Sequence, residues 1–422
     1  MIQSIQDQRT DTFEIVTERA GWYTCRMVYS TTMKTRLLLM VNGAYQGGVV
    51  LTPGEHAVCE SPAVLLGAGK QQVMLEEDWG AVSLEGMRLC VADAPVLRPH
   101  FRLSNPEASP ECRRVMALLE RICGERVLVG QHVNGGNADL ELLESLGGDL
   151  PALMGFDMMA FSTGCFPEKR TLACVEEVTS CLGNVERALY WGRDRGALIT
   201  LCWHWFSPTD GWDKSFYTQN TRFDLAEALE ARDERYELLL RDIDLVSEQL
   251  IRLRDAGVPV LWRPLHEAEG KWFWWGASGA EACIALYRLM YDRMTRMHGL
   301  NNLIWVWNSV APDWYPGDDV VDIISTDIYA PHANDGELSM EYARCMGASK
   351  DALLPAALGE VGVAPDMERV CGQGLPWLWY MLWSGFTRRE DQNPRERLRQ
   401  TLIHPAAVLL GEYRRLLDEA TN

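Results

Sequence analysis

The chain is expected to fold as an all-β sandwich followed by a (β/α)8 TIM barrel. Three observations predict this. Its 422 residues exceed what one ordinary hydrophobic core organises, so two domains are the default. Residues 1–98 hold short alternating runs divided by turn residues, without a convincing amphipathic helix. Beyond residue 110 apolar strand-like segments alternate with helical periodicity, eight strands over roughly 300 residues.

In the first region the runs Trp22–Tyr29, Thr35–Val41 and Gln71–Leu75 are separated by turns such as Val41-Asn42-Gly43 and Thr52-Pro53-Gly54. Short strands at close spacing favour a sandwich. Residues 99–110 are proline-bearing, without periodicity, and read as a linker. Residues 111–422 are assigned to the barrel. Its expected strands are Val127–His132, Ala152–Met159, Gly196–Trp205, Val258–Glu267, Asn301–Ser309, Asp322–Ala330, Pro355–Gly362 and Trp377–Gly385. Apolar residues recur with helical spacing over Leu140–Leu146, Val175–Gly192, Leu225–Ala256, Ala280–His298, Leu338–Met346 and Arg395–Glu419. A doubly wound sheet would need a glycine-rich nucleotide turn after its first strand, and Gly130-Gln131-His132 is not one.

Composition narrows the function. There are 40 Lys+Arg against 59 Asp+Glu, a formal charge of −19. That argues against nucleic acid or an anionic membrane as partner, since both need a basic face. No apolar run reaches membrane-spanning length. A neutral polysaccharide fits, and the 16 Trp supply the side chain best suited to stack on a sugar ring. The 12 cysteines are scattered without a C-x-x-C or zinc-like spacing, and read as reduced, buried thiols. The first residues have neither a basic start nor an apolar stretch, so no signal peptide is expected in this sequence. The protein is then secreted if a leader was removed and otherwise cytoplasmic. A monomer is expected.

In a barrel of this kind the chemistry lies at the C-terminal ends of the strands. The segment 258–276, VPVLWRPLHEAEGKWFWWG, begins as an apolar strand and then delivers Arg263, His266, Glu267 and Glu269 beside Trp272, Phe273, Trp274 and Trp275. The bland alternative is a core strand followed by a tryptophan-rich packing loop. The other strands end on Gln131-His132, near Asp157, and on Trp203-His204-Trp205, Trp307-Asn308, Asp327-Ile328-Tyr329, Gly359-Glu360 and Trp383-Ser384. A lone His or Asn is most often structural; polar or aromatic groups at every strand end point to one site. Glu267 and Glu360 stand about three βα units apart at about 30 residues each, which puts them on facing strands. Two carboxyl groups facing each other are what glycoside hydrolysis needs. Glu267 must hold a proton, so its aromatic surroundings and a charged Glu360 should raise its pKa. Glu360 must be ionised, so donors such as Tyr329 and Arg263 are expected beside it. Glu269 is expected to face solvent or a glycan, with a plain loop charge as the alternative.

The region Val127–Leu417 resembles glycoside hydrolase family 26, chiefly β-mannanases. The pieces are VGQH, LCWHWFSP, RPLHEAEGKWFWWG with LYRLMYDRMT, GLNNLIWVWN, YPGDDVVDIISTDIYA, ALGEVG and LIHPAAV, in the family's order. The resemblance implies a retaining mechanism with Glu267 as acid/base and Glu360 as nucleophile. It further implies His204 and His266 lining the cleavage subsite, Tyr329 bonded to the nucleophile and Asp327 supporting it, with Trp272 and Trp383 as aromatic floor and wall. His132 and Trp212 are added as candidate substrate contacts. One departure is that some members carry Arg directly after the strand-8 Trp, where this chain has Ser384; this leaves exo versus endo action open. The expected substrate is mannan, galactomannan or glucomannan. A mixed-linkage β-1,3-1,4-glucanase, a β-xylanase and a catalytically silent glycan-binding protein are the alternatives. No metal is needed for this chemistry.

The first region is similar to family 35 carbohydrate-binding modules through AGWYTCRMVYS, TRLLLMVNG, LLGAGKQQVMLEEDWG and VSLEGMRLCVA. That resemblance implies a jelly roll that could bind sugar at its loops, in some cases with calcium. Tyr45, Trp79 and Trp22 are candidate contacts, and a scaffold that binds nothing is the alternative.

Overall fold

The computed structural model describes residues 10–165, 170–330, 336–349 and 352–419. The sandwich is built from β1 (Thr10–Thr17), β2 (Gly21–Thr31), β3 (Thr35–Val41), β4 (Ala44–Leu51), β5 (Gly54–Glu60), β6 (Val64–Leu66), β7 (Gly69–Trp79) and β8 (Ser83–Val91). One antiparallel sheet runs β1-β7-β3-β4; in the other, β2 pairs with β5, β6 and β8. Asn42 and Gly43 join β3 to β4 with φ of 52° and 80°. These are the positive values a two-residue hairpin requires, and Asn and Gly tolerate them best. Cys25, Met27 and Tyr29 of β2 pack against Leu37, Leu39, Val73 and Leu75 of the facing sheet.

The barrel strands are β9 (Val127–His132), β10 (Leu153–Asp157), β11 (Leu198–Cys202), β12 (Val260–Arg263), β13 (Leu303–Trp307), β14 (Ile323–Ile328), β15 (Ala356–Val361) and β16 (Trp377–Leu382). Each pairs in parallel with the next, and β16 and β10 both pair with β9, so the sheet closes. A short β17 (Ala407–Val408) adds to β9. The helices are α1 (Pro110–Ile122), α2 (Ala138–Gly147), α3 (Leu172–Cys181), α4 (Asn184–Leu189), α5 (Leu225–Ala231), α6 (Glu234–Asp255), α7 (Trp274–Ala277), α8 (Ala280–Tyr291), α9 (Ser339–Ala348), α10 (Met367–Gly372), α11 (Arg395–Ile403) and α12 (Leu410–Glu419).

Three expected helices are divided, each for a local reason. Gly183, with φ of 81°, separates α3 from α4. Arg232 adopts φ of 48° between α5 and α6, and Asp233 caps the second. Pro405 follows α11, where the helix could not continue without losing a backbone donor. The fourth strand stops at Arg263 rather than Glu267, because Leu265 and Glu267 both adopt left-handed φ. Helix α1 was absent from the expected set; Pro110, assigned to the linker, is its first turn, and Ser109 caps it.

The expected linker lies against the barrel. The backbone N–H of His100 donates to Leu353 O at 2.9 Å, and that of Ser109 to Asn301 O at 2.7 Å. Ser104 N–H donates to the buried Asp322 carboxylate at 2.5 Å.

Sandwich and barrel share side chains across their boundary. Met340 of α9 lies in the sandwich core, while Trp22, Leu38 and Tyr45 belong to the barrel's cluster. Gln46 Nε2 donates to Glu337 at 2.8 Å, and Ser339 Oγ donates back to Gln46 Oε1 at 2.8 Å. A Cβ at Gly47 would come within 2.3 Å of Glu341 Oε1 and 2.4 Å of Met340 Cε, so this approach requires glycine. Tyr45 and Trp22, expected as candidate sugar contacts, are therefore buried in packing. Trp79 is 42% exposed.

Candidate active site

Glu360 sits inside β15, where strand geometry points it into the barrel mouth, and it is almost fully buried. One carboxylate oxygen accepts from Arg263 Nη2. The other accepts from Tyr329 Oη at 2.6 Å. Arg263 also donates through Nη1 to Asp327 at 2.9 Å, and Asn308 Nδ2 donates to the other Asp327 oxygen at 2.8 Å. A guanidinium buried at the end of β12 is thus held by two carboxyl groups, on β14 and β15. Burial drives the Asp327 carboxyl well above its usual range, against the pull of Arg263 and with the help of Glu360. Gly359 leaves the room: a Cβ there would fall 2.6 Å from Asp327 Oδ1.

Glu267 lies in the turn after β12 with φ of 55°, and Leu265 before it has 52°. Each such residue costs roughly 1–3 kcal/mol and needs support. The Glu267 N–H donates to Asn308 at 3.0 Å, and Trp275 Nε1 donates to His266 O at 2.9 Å. Glu267 then faces the centre: one oxygen from each of Glu267, Asp327 and Glu360 lies within 4.8 Å of the others. Burial, then the charge of Glu360, raise the Glu267 pKa from 4.5 to about 7, although Trp272 opposes the rise. The Trp272 indole N–H donates to Glu267 Oε2 at 2.8 Å, and the ring is 46% exposed.

The histidines form a chain. Asp157 accepts from His204 Nδ1 at 2.5 Å, and His204 Nε2 lies 3.3 Å from His266 Nε2. Burial pulls His204 down, but the charge and hydrogen bond of Asp157 raise it overall. Burial, then the neighbouring His204 charge, hold His266 neutral, well below its usual value. In the 3.3 Å contact one Nε2 carries the proton and the other accepts it, so the two rings are linked to Asp157 in a single chain.

The other expected site residues divide. Tyr329 and Trp383 reach the mouth. His132, expected as a substrate contact, is buried beneath Trp383, its ring stacked on the indole at 3.9 Å. It supports the wall instead of forming it, and burial lowers its pKa to about 3. His266 is likewise buried, behind His204, and lines the subsite only through it. Trp212 is held in its loop by a backbone bond to Asn220 O, and none of the described ring contacts joins it to the cleft. Phe216, from the same loop, meets His204 edge-on at 5.2 Å, and Tyr217 stacks on Phe273 at 5.5 Å. Glu269 is not a free charge: Ser309 Oγ and the N–H groups of Val310 and Ala311 all donate to its Oε2, and the side chain lines the same cavity as Glu267 and Trp272. Trp274 and Trp275 are packing, with both indole N–H groups spent on backbone carbonyls. Ser384 Oγ and Gly385 N–H donate to Asp139, which also accepts from Arg388 Nε at 2.7 Å.

Sequence spacing showed no metal-like cluster. Among the described residues the fold assembles two groups of three ligand-type side chains, Glu267–Asp327–Glu360 and His132–Asp157–Cys202. Both lie in the barrel, and among the described residues neither group belongs to the sandwich, where the resemblance allows calcium in some cases. The roles of Asn308 in seating Glu267 and of Asp157 in holding His204 were missed; the only signal for either was its place at a strand end.

The family model for glycosyl hydrolase family 26 matches residues 104–411. The chain belongs to glycosyl hydrolase family 26. It is a glycoside hydrolase. Among relatives of this family 26 enzyme, a mannan endo-1,4-beta-mannosidase of Thermothelomyces thermophilus is 38% identical, over 98% of this chain and 84% of the relative. Mannan endo-1,4-beta-mannosidase B of Piromyces is 28% identical over 95% and 70%. Among solved structures, the Podospora anserina family 26 β-(1,4)-mannanase with a family 35 carbohydrate-binding module superposes with a TM-score of 0.71. It is 32% identical and covers 97% of this chain and 91% of its own. A β-mannanase from a symbiotic protist of the termite Reticulitermes speratus, solved with a gluco-manno-oligosaccharide, gives 0.66 at 29% identity, over 76% of this chain and 99% of its own. The sandwich-plus-barrel architecture of this family 26 hydrolase is thus that of a mannanase bearing a carbohydrate-binding module.

Proposed function

We propose that this chain is a retaining endo-β-1,4-mannanase acting on mannan, galactomannan or glucomannan. The observation that carries the mechanism is the approach of Glu267 and Glu360, whose nearest oxygens lie within 4.8 Å. Retaining enzymes hold their carboxyl groups about 5–5.5 Å apart, whereas inverting ones leave room for water at about 6.5–9.5 Å. The relatives named for mannan support the substrate.

Glu360, bonded by Arg263 and Tyr329, attacks the anomeric carbon as Glu267 gives its proton to the departing glycosidic oxygen. The new ester removes the negative charge of Glu360. Glu267 then ionises more easily and takes a proton from water, which attacks the same carbon and releases Glu360. Trp272 and Trp383 offer apolar faces to the sugars, and His204, held by Asp157, lines the subsite of the ring that is cut. Asp327, His266 and His132 act through these groups. The sandwich is read as a docked accessory domain. Its exposed Trp79 remains a candidate sugar contact.

The test is hydrolysis of galactomannan, glucomannan, barley glucan and xylan, with product sizing and proton NMR of the first-formed anomer. Mannan-type substrates should yield short oligosaccharides with the β-anomer formed first. Cleavage of barley glucan or xylan with galactomannan untouched would overturn the substrate; first appearance of the α-anomer would overturn the mechanism.

A further inference from the structure

Beneath the cleft wall lies a thiol that the hydrolytic chemistry does not use. Cys202, the last residue of β11, and His132, the last of β9, are both buried, with Sγ and Nε2 4.0 Å apart. Asp157, at the end of β10 between them, completes a set whose ligand atoms all lie within 4.8 Å of one another. A second observation points to a ligand. His132 Nδ1 has no hydrogen-bond partner although the ring is buried, and at Nε2 only the Cys202 sulfur approaches, so no strong acceptor keeps a proton on Nε2 and its lone pair can face the site. A void of about 10 Å³ adjoins Cys202, His132 and Trp383, near the smallest space that admits one water-sized body.

We propose that Cys202, His132 and Asp157 form a binding site for a thiophilic divalent cation of the zinc or cadmium kind, and that its occupation inhibits the enzyme. The donor set is thiolate, imidazole and carboxylate, the mixture such ions prefer. Zinc bonds sulfur at about 2.3 Å and imidazole nitrogen at about 2.0–2.1 Å. An S–N separation of 4.0 Å is therefore shorter than the sum of the two bonds, and an ion between them sits at an open but ordinary angle. Arg263 also lines the void, but its Nη1 and Nη2 are turned to Asp327 and Glu360. On binding, the sulfur–metal bond replaces the S–H bond and the proton leaves to solvent. No oxidant or reductant is required. Asp157 is also the carboxylate that holds His204 Nδ1 and its backbone N–H. An ion drawing on Asp157 loosens His204 in the cleavage subsite, and one drawing on His132 disturbs the ring stacked under Trp383. Inhibition follows from both.

The inhibitory reading rests on the proposed mannanase activity, so the experiment carries a readout independent of it. Cadmium chloride is titrated into the full chain while the sulfur-to-cadmium charge-transfer band and mannan hydrolysis are followed together. The expected result is a saturable band and a loss of activity of about tenfold or more at the same cadmium concentration. Cys202→Ser should keep its basal activity, lose that band and need about tenfold more cadmium for inhibition. Cys283→Ser, which removes a buried thiol on α8, should behave as the wild type. If Cys202→Ser does not fold, Cys202→Ala serves the same comparison. A Cys202 variant that keeps the band and the inhibition overturns the site, as does a wild type without a saturable band. A Cys202-dependent band in a protein that hydrolyses no mannan would uphold the site and sink the mannanase reading instead.

Discussion

Replacing Glu360 by Gln should let Glu267 lose its proton at lower pH. The two groups have oxygens within 4.8 Å. Two unit charges at that distance interact by 332/(20 × 4.8), about 3.5 kcal/mol at an effective dielectric constant of about 20. At 1.36 kcal/mol per pH unit this is about 2.5 pH units before Arg263 and Trp272 offset it. The whole rise of Glu267, from 4.5 to about 7, is no larger, and burial is its leading cause, ahead of Glu360. The share of Glu360 is then about one pH unit. The sign is fixed: removing a neighbouring anion favours the carboxylate, so the midpoint moves down from about 7 toward about 6. Arg263, with one partner neutralised, pulls in the same direction. Infrared difference spectra of carbon-13-labelled glutamate, recorded across pH in both proteins, would follow the protonated carbonyl of Glu267. A midpoint unchanged in Glu360→Gln, or one that rises, would refute the view that the nucleophile's charge holds the acid's proton. In the wild type the same titration should appear as the falling, alkaline limb of kcat/KM near pH 7, because the donor form of Glu267 is lost as pH rises through that value.

Glu267→Ala should lower kcat on mannan by about 10²–10⁴, the usual worth of a positioned general acid; added azide should partly restore turnover of an aryl mannoside whose leaving group needs no proton, and equal losses on both substrates would count against the role. Trp272→Phe keeps an aromatic face but removes the indole donor to Glu267. Its alkaline limb should move upward, since a hydrogen bond to the carboxylate form is lost; a downward shift would show that the bond favours the acid form. Met340→Ala should cost about 2–5 kcal/mol, the range for emptying a buried methionine site. Because Met340 belongs to the barrel yet lies in the sandwich core, calorimetry should show one unfolding transition moved as a whole. Two transitions with only one displaced would mean that the domains unfold separately.

Much of the architecture could be read in the sequence. The eight barrel strands fall where apolar runs occur, because a parallel strand buried on both faces must be continuously apolar, as LIWVW and WLWYML are. Glu267 and Glu360 stood out because carboxylates rarely follow such runs without a purpose. Breaks at Gly183 and Pro405 were written in residue type, yet Arg232 turning left-handed was not, since only the packing of α5 and α6 requires it.

Distance through space was not legible. Sequence order set Glu269 two positions from Glu267 and left its partners open; one side chain binds three donors of the neighbouring loop while the other faces Glu360. His132 and Trp383 looked alike as strand ends; closure of β16 on β9 placed one under the other. Cys202, Asp157 and His132 are scattered along the chain, and only the parallel pairing of β9, β10 and β11 sets them side by side. Tyr45 and Trp22, aromatic and plausible as sugar contacts, were claimed by the barrel's flank. The sequence by itself determined the two folds and the two carboxyl groups, because burial pattern and chemical type are local properties of a chain. The partners of those carboxyl groups, the raised pKa of Glu267, and the residues left over to bind anything else were decided only by tertiary structure, because charge and hydrogen bonding act over a few ångströms of space and not along the backbone.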